Sequence, residues 1–234
     1  MDVSNLPGIR TENLRALMVP SLRSFHLREY EGIWEGSRAK DCETVLTALL
    51  FNNQITTLSL DFNHDLPDSV RVESLLFAVL LNSGQLEHLE LNRLSGSFVM
   101  GCPPEVLLRA LLHNKPNLVS LCFPVGLYIC QEHLDDLLSR YSDWSIPSLK
   151  AITPSPNYTG RLSQGSNAPH FATGPPAAHF LDRMPNLEEL AIVFLSVEGS
   201  FANGLACVFD SLSKLKHLKK LGLDAEVSEA DVYG

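Results

Sequence analysis

Basic residues are scarce in this sequence: 18 Lys and Arg stand against 27 Asp and Glu, a formal net charge of −9. A nucleic-acid surface needs clustered Lys and Arg to displace counterions from phosphates, so no nucleic-acid partner is expected. Lys214, Lys216, Lys219 and Lys220 form the only basic cluster, without interleaved aromatics, and it ends at Asp224. The cysteines are few and unpaired in sequence: Cys42, Cys102, Cys122, Cys130 and Cys207 are odd in number and contain no CxxC. That pattern speaks against a disulfide framework and for thiols used as small core residues in a reducing compartment. No run approaches the ~18 apolar residues of a membrane span. The opening MDVSNLPGIR has neither the basic nor the apolar stretch of a signal peptide. An intracellular protein, cytoplasmic or nuclear, with no membrane partner is expected, and the sequon at Asn157, Tyr158 and Thr159 is then a chance match in a turn-rich loop.

Catalytic signatures are missing too. HExxH and Walker glycine loops are absent, and GSFVMG around Ser97 lacks the central serine of a GxSxG elbow. His133, Asp135 and Asp136 fall on a helix with Leu134, Leu137 and Leu138 opposite, which reads as a solvated outer face on which nothing else converges. No catalytic, metal or cofactor residue is therefore assigned, and an enzyme is not expected.

What the sequence has is leucine, periodically placed. The stretch QLEHLELNRL carries Leu86, Leu89, Leu91 and Leu94 as LxxLxLxxL. The same skeleton restarts at Leu22, Ile55, Leu86, Leu118, Leu149, Leu187 and Leu218, with gaps of 33, 31, 32, 31, 38 and 31 residues. Self-similarity at one period marks units that bury their apolar side by stacking on their neighbours.

At these residues the chain resembles the leucine-rich repeat family over roughly residues 14 to 224. The resemblance implies an α/β solenoid of about seven irregular repeats, with a curved parallel sheet on the concave side and helices on the convex side. A single domain, 1–234, is expected, incomplete at both ends. Asn63 is the one residue that matches the family's LxxLxLxxN asparagine; Leu94, Gly126, Leu195 and Glu226 stand at the other positions.

Between the strands the spacing predicts helices over Cys42–Phe51, Val72–Leu81, Pro104–His113, Gln131–Tyr141, Ala177–Met184 and Gly204–Leu215, preceded by a short helix over Thr11–Met18. Doublets such as Val45/Leu46 with Leu49/Leu50 give each an apolar stripe. Asp41 and Pro104 are read as helix entry residues, and Pro20, Pro116, Pro147 and Pro185 stop helices ahead of strands. The long interval contains 153–176, TPSPNYTGRLSQGSNAPHFATGPP, expected as a surface loop with little regular structure that Tyr158, Leu162 and Phe171 could pin to the rim.

Strand side chains alternate between faces, so if the third and fifth residues after each anchor are buried, the second, fourth and sixth share the open face. The second-residue row is Ser24, Thr57, His88, Ser120, Ala151, Glu189, Lys220; the fourth is His26, Ser59, Glu90, Cys122, Thr153, Ala191, Gly222. The sixth is Arg28, Asp61, Asn92, Pro124, Ser155, Val193, Asp224. The N-terminal half is polar and the C-terminal half more apolar, which suits a protein or peptide ligand held by Arg28, Asp61, His88, Glu90, Asn92 and Cys122.

The uneven repeats of about 31 residues and the proline-rich insert look like the repeat region of F-box/leucine-rich-repeat proteins. In that family the repeats capture a substrate for an SCF ubiquitin ligase, and ligase components would be partners here if an F-box lay upstream. Residues 1–20 hold only Leu6 and Pro7 of an F-box opening. Two other readings stand beside this one: a leucine-rich-repeat regulator of a small GTPase, and a scaffold or sensor domain independent of ubiquitin.

Overall fold

The structure, a computed structural model, describes residues 21–28, 38–61, 70–92, 109–110, 115–123, 128–140, 145–153, 170–196 and 201–227. The expected helix over Thr11–Met18, most of that over Pro104–His113, Asn63, Tyr158 and Leu162 lie outside them.

Every strand pairing is parallel, and one nine-stranded sheet results. Its strands are β1 Ser24–Arg28, β2 Thr57–Asp61, β3 His88–Asn92, β4 Ser120–Cys122, β5 Tyr128–Ile129, β6 Ala151–Thr153, β7 His170–Ala172, β8 Glu189–Ser196 and β9 Lys220–Val227. The described helices are α1 Arg38–Leu50, α2 Val70–Asn82, α3 Gln131–Arg140, α4 Pro175–Asp182 and α5 Phe201–Lys214. The chain is thus mixed α/β with a single open parallel sheet, compatible with a solenoid.

The anchor leucines explain the stacking. Each of the first six is followed by a residue whose carbonyl accepts two amides from the next unit. Thr56 and Thr57 donate to Arg23, Glu87 and His88 to Thr56, and Val119 and Ser120 to Glu87. The series continues through Val119, Lys150 and Glu188, all twelve contacts falling between 2.7 and 3.1 Å. Side chains add links just ahead of the strands: Ser148 Oγ donates to the Leu118 carbonyl and Asn186 Nδ2 to that of Pro147, each at 2.8 Å.

The core follows the odd positions. Phe25, Leu58, Leu89, Leu121, Ile152 and Leu190, three residues past each anchor, are all buried, as are Leu27, Leu60, Leu91, Phe123 and Ile192 two residues further on. Val45, Leu46 and Leu49 of α1, and Leu76, Val79 and Leu80 of α2, close over them. A further buried row was not read from the sequence: Asn52, Ser83, Lys115, Ile146, Met184 and Leu215, three residues before their anchors.

Helix entries differ from expectation. α1 opens at Arg38, so Asp41 lies inside it rather than ahead of it. α4 opens at Pro175, two residues earlier than expected, with Pro in its first turn where no amide is needed. Its cap, Gly174, has φ 149°, a conformation that favours glycine.

The long segment also departs from the loop expectation. Its residues His170–Ala172 form β7, paired with β8 through His170↔Val193, Phe171↔Phe194 and Ala172↔Leu195. β6 pairs with β8 at Glu189 and Leu190, while β9 runs along the whole opposite edge of β8. β6, which ends at Thr153, and β7, which begins at His170, therefore occupy successive stretches of one edge of β8. β4 and β5 repeat the arrangement beside them, with Cys122↔Thr153 and Tyr128↔His170. Phe171 anchors β7 in the core. It is 1% exposed, meets Phe123 edge-on at 6.4 Å between ring centroids, and lies 5.3 Å from Phe180.

Candidate functional site

Parallel registry turns one-dimensional spacing into rows across the sheet. The pairings Ser24↔Thr57↔His88↔Ser120↔Ala151↔Glu189↔Lys220 form a single continuous row. His26↔Ser59↔Glu90↔Cys122↔Thr153 runs parallel to it two residues along. These even positions share the face opposite the buried odd ones, because successive Cβ atoms point to opposite sides.

His26, Thr57, Ser59, His88, Glu90, Ser120, Cys122 and Thr153 line one groove of about 370 Å³ on this face. Neighbouring strands lie about 4.8 Å apart, so side chains in a row are close enough to bond one another. Ser59 Oγ donates to Glu90 Oε2 at 2.9 Å, from β2 to β3. His88 Nδ1 and Ser120 Oγ are hydrogen-bonded at 2.8 Å, from β3 to β4. Within β1, Ser24 Oγ and His26 Nε2 are 2.9 Å apart. With Nδ1 engaged by Ser120, Nε2 is the ring atom His88 offers a ligand. The groove is therefore an array of hydroxyl, imidazole, carboxylate and thiol groups able to donate and accept hydrogen bonds.

Of the six residues expected to bind a partner, His88, Glu90 and Cys122 line the groove. Arg28, Asp61 and Asn92 are in register as a third row, Arg28↔Asp61↔Asn92, and their side chains lie outside the described set. His26, Thr57, Ser59, Ser120 and Thr153 also line it, with Leu58 and Leu89 beneath; the row rule placed the five polar residues on this face without naming them as contacts.

Toward the other end of the sheet the charged side chains are self-paired. Lys220 Nζ donates to Glu189 Oε1 at 2.7 Å. Glu188 lies between Lys219, at 2.5 Å, and Lys150, at 3.4 Å, and Lys219 first and Lys150 second hold its carboxyl below the usual carboxylate range. Lys214 bridges Asp210 at 2.7 Å. The basic cluster noted in the sequence is thus balanced by carboxylates at three of its four lysines.

On the helix side, Asp135 is exposed, as expected of a solvated outer face, though other residues approach it. α4 brings His179, Asp182 and Arg183 to the same groove as Asp135 and Ser139 of α3, with a volume of about 590 Å³. The convergence comes from helix packing between distant segments, which periodicity within one helix does not encode. Among the described residues no group of three or more His, Cys, Asp or Glu is placed to hold a metal ion, and no helix is long and apolar enough to cross a membrane.

No family model matches the chain, and no curated protein matches it.

Proposed function

We propose that this chain is a binding module that holds a protein or peptide along the polar face of its sheet, on the leucine-rich-repeat plan that its spacing resembles. One observation carries the reading: the groove is lined by two in-register rows from β1, β2, β3, β4 and β6, each tied from strand to strand by a hydrogen bond along the row. Preorganised donors and acceptors at strand spacing suit an extended chain laid across them, because little side-chain freedom is lost on binding. The ligand contacts are assigned to Arg28, Asp61, His88, Glu90, Asn92 and Cys122, with no catalytic step and no cofactor.

Selection of a displayed random-peptide library on the purified chain tests this. Enriched peptides should lose binding to Glu90→Lys and His88→Ala and keep it with Asp210→Lys on α5. Peptides indifferent to both groove changes would place binding elsewhere. The resemblance supports the narrower proposal that the bound protein is a substrate of an SCF-type ubiquitin ligase. Its test is whether the same groove variants abolish ubiquitylation of a peptide-bearing protein when adaptor and cullin are supplied.

A further inference from the structure

The last strand departs from a rule that every earlier one obeys. Phe25, Leu58, Leu89, Leu121, Ile152 and Leu190 are each at most 2% exposed, whereas Leu221, at the same position in β9, is 46% exposed. Phe209 on the adjoining helix α5 is 51% exposed. β9 pairs with β8 on one edge and, among the described residues, with no strand on the other. An edge strand of eight residues beside exposed apolar side chains is a template for another strand.

The sequence of that edge is self-complementary. Lys220, Leu221, Gly222, Leu223 and Asp224 are symmetric in polarity about Gly222 and opposite in charge at the two ends. The Lys220 amide donates to Glu188 at 3.1 Å, toward β8. Main-chain groups alternate sides along a strand, so those of Gly222 and Asp224 also turn inward and those of Leu221 and Leu223 turn outward.

We infer that a second copy of this chain pairs here, its β9 antiparallel to this one about a two-fold axis at Gly222. In that register the outward groups of Leu221 meet those of Leu223 of the partner subunit, forming a hydrogen-bonded pair. Lys220 then stands opposite Asp224 of the partner subunit, and the two-fold axis repeats both contacts. Lys220 already bridges Glu189, and its ammonium has three donors, so it joins both carboxylates. Slipping the register by two residues sets Leu221 against Ala225 of the partner subunit and Leu223 against Leu223 of the partner subunit, one leucine contact in place of two; the glycine-centred register keeps both Leu221–Leu223 contacts. Two-fold contacts of this self-matching kind are the commonest in soluble oligomers.

Sedimentation equilibrium of the purified chain across the micromolar range tests the inference, with circular dichroism melts confirming that each variant is folded. The wild type is expected to dimerise. Lys220→Asp places like charges opposite each other twice and weakens the dimer about 100-fold. Combining it with Asp224→Lys restores the dimer, although that double variant does not restore the contact with Glu189. Amide exchange at Leu221 and Leu223 in the unaltered protein is expected to slow as concentration rises, which reads the same pairing without any substitution. A wild type that stays monomeric, a folded double variant that stays dissociated, or a dimer indifferent to Lys220→Asp would each overturn it.

Discussion

Lys115 donates from Nζ to the carbonyl of Leu80 at 2.7 Å, from a side chain only 2% exposed. The position it fills is taken by Ile146, Met184 and Leu215 in later units. Leu80 lies in the last turn of α2, where carbonyls lack partners within the helix, so the ammonium answers a real need. Burial nevertheless pushes its pKa down from the ordinary lysine range to about 8.

That shift fixes a pH dependence. Between pH 8 and the ordinary lysine value the unfolded chain holds a proton that the folded chain has lost, so stability rises with pH across this window. The penalty is fully present below about pH 8. Lys115→Met is expected to remove the rise and to add about 1–2 kcal/mol at neutral pH, because an apolar side chain of similar volume replaces a buried charge. Urea unfolding of both proteins at a series of pH values measures the difference directly.

Phe171→Ala should cost about 3–5 kcal/mol, the usual loss for a buried phenylalanine. The loss falls where Phe123, Phe171 and Phe180 meet. Amide protection at Phe171 and Ala172 is expected to disappear while that of β2 and β3 persists, since the stack is held neighbour to neighbour. Exchange monitored residue by residue distinguishes this local release from general destabilisation.

Gly204→Ala reverses a general rule. Alanine inside a helix normally stabilises by about 1 kcal/mol relative to glycine. A Cβ at Gly204 would lie 2.8 Å from Thr173 Oγ1 and 3.0 Å from its carbonyl carbon, so α5 or the start of α4 must shift. A net loss of about 1–3 kcal/mol is expected from overpacking. A thermal melt settles the sign.

Ser59→Ala and Glu90→Ala, made singly and together, are expected to show a coupling of about 0.5–1.5 kcal/mol in unfolding, the ordinary value of a hydrogen bond. For the peptides selected on the groove, Ser59→Ala should weaken binding less than Glu90→Lys, since it removes a positioning contact rather than the charge. Calorimetric titration of one enriched peptide against the three proteins gives the order.

Much of the sheet was legible because the leucine spacing and the alternation of faces act together. Once Leu86, Leu89 and Leu91 are set inward, His88 and Glu90 must share the other side, and parallel pairing places them beside Thr57, Ser59, Ser120 and Cys122. β5 and β7 were not legible. Two or three residues are too few to show an alternation, and their partners in the sheet are set by contacts far along the chain. Lys115 was missed because its row has mixed chemistry: amide, hydroxyl and ammonium in the early units, apolar later. The site on the helix side was hidden for a further reason, since Asp135 and His179 are brought together only by packing of α3 against α4.

β6, ending at Thr153, and β7, beginning at His170, are held by separate pairings, β6 to β8 at Leu190 and β7 to β8 at Val193. The two attachment points hold their spacing whatever length of chain joins them. Closing a longer connection costs only about 0.6 kcal/mol for each doubling. This makes the interval between the two strands a natural graft point: a reporter peptide or a small guest domain spliced there would leave both pairings with β8 in place.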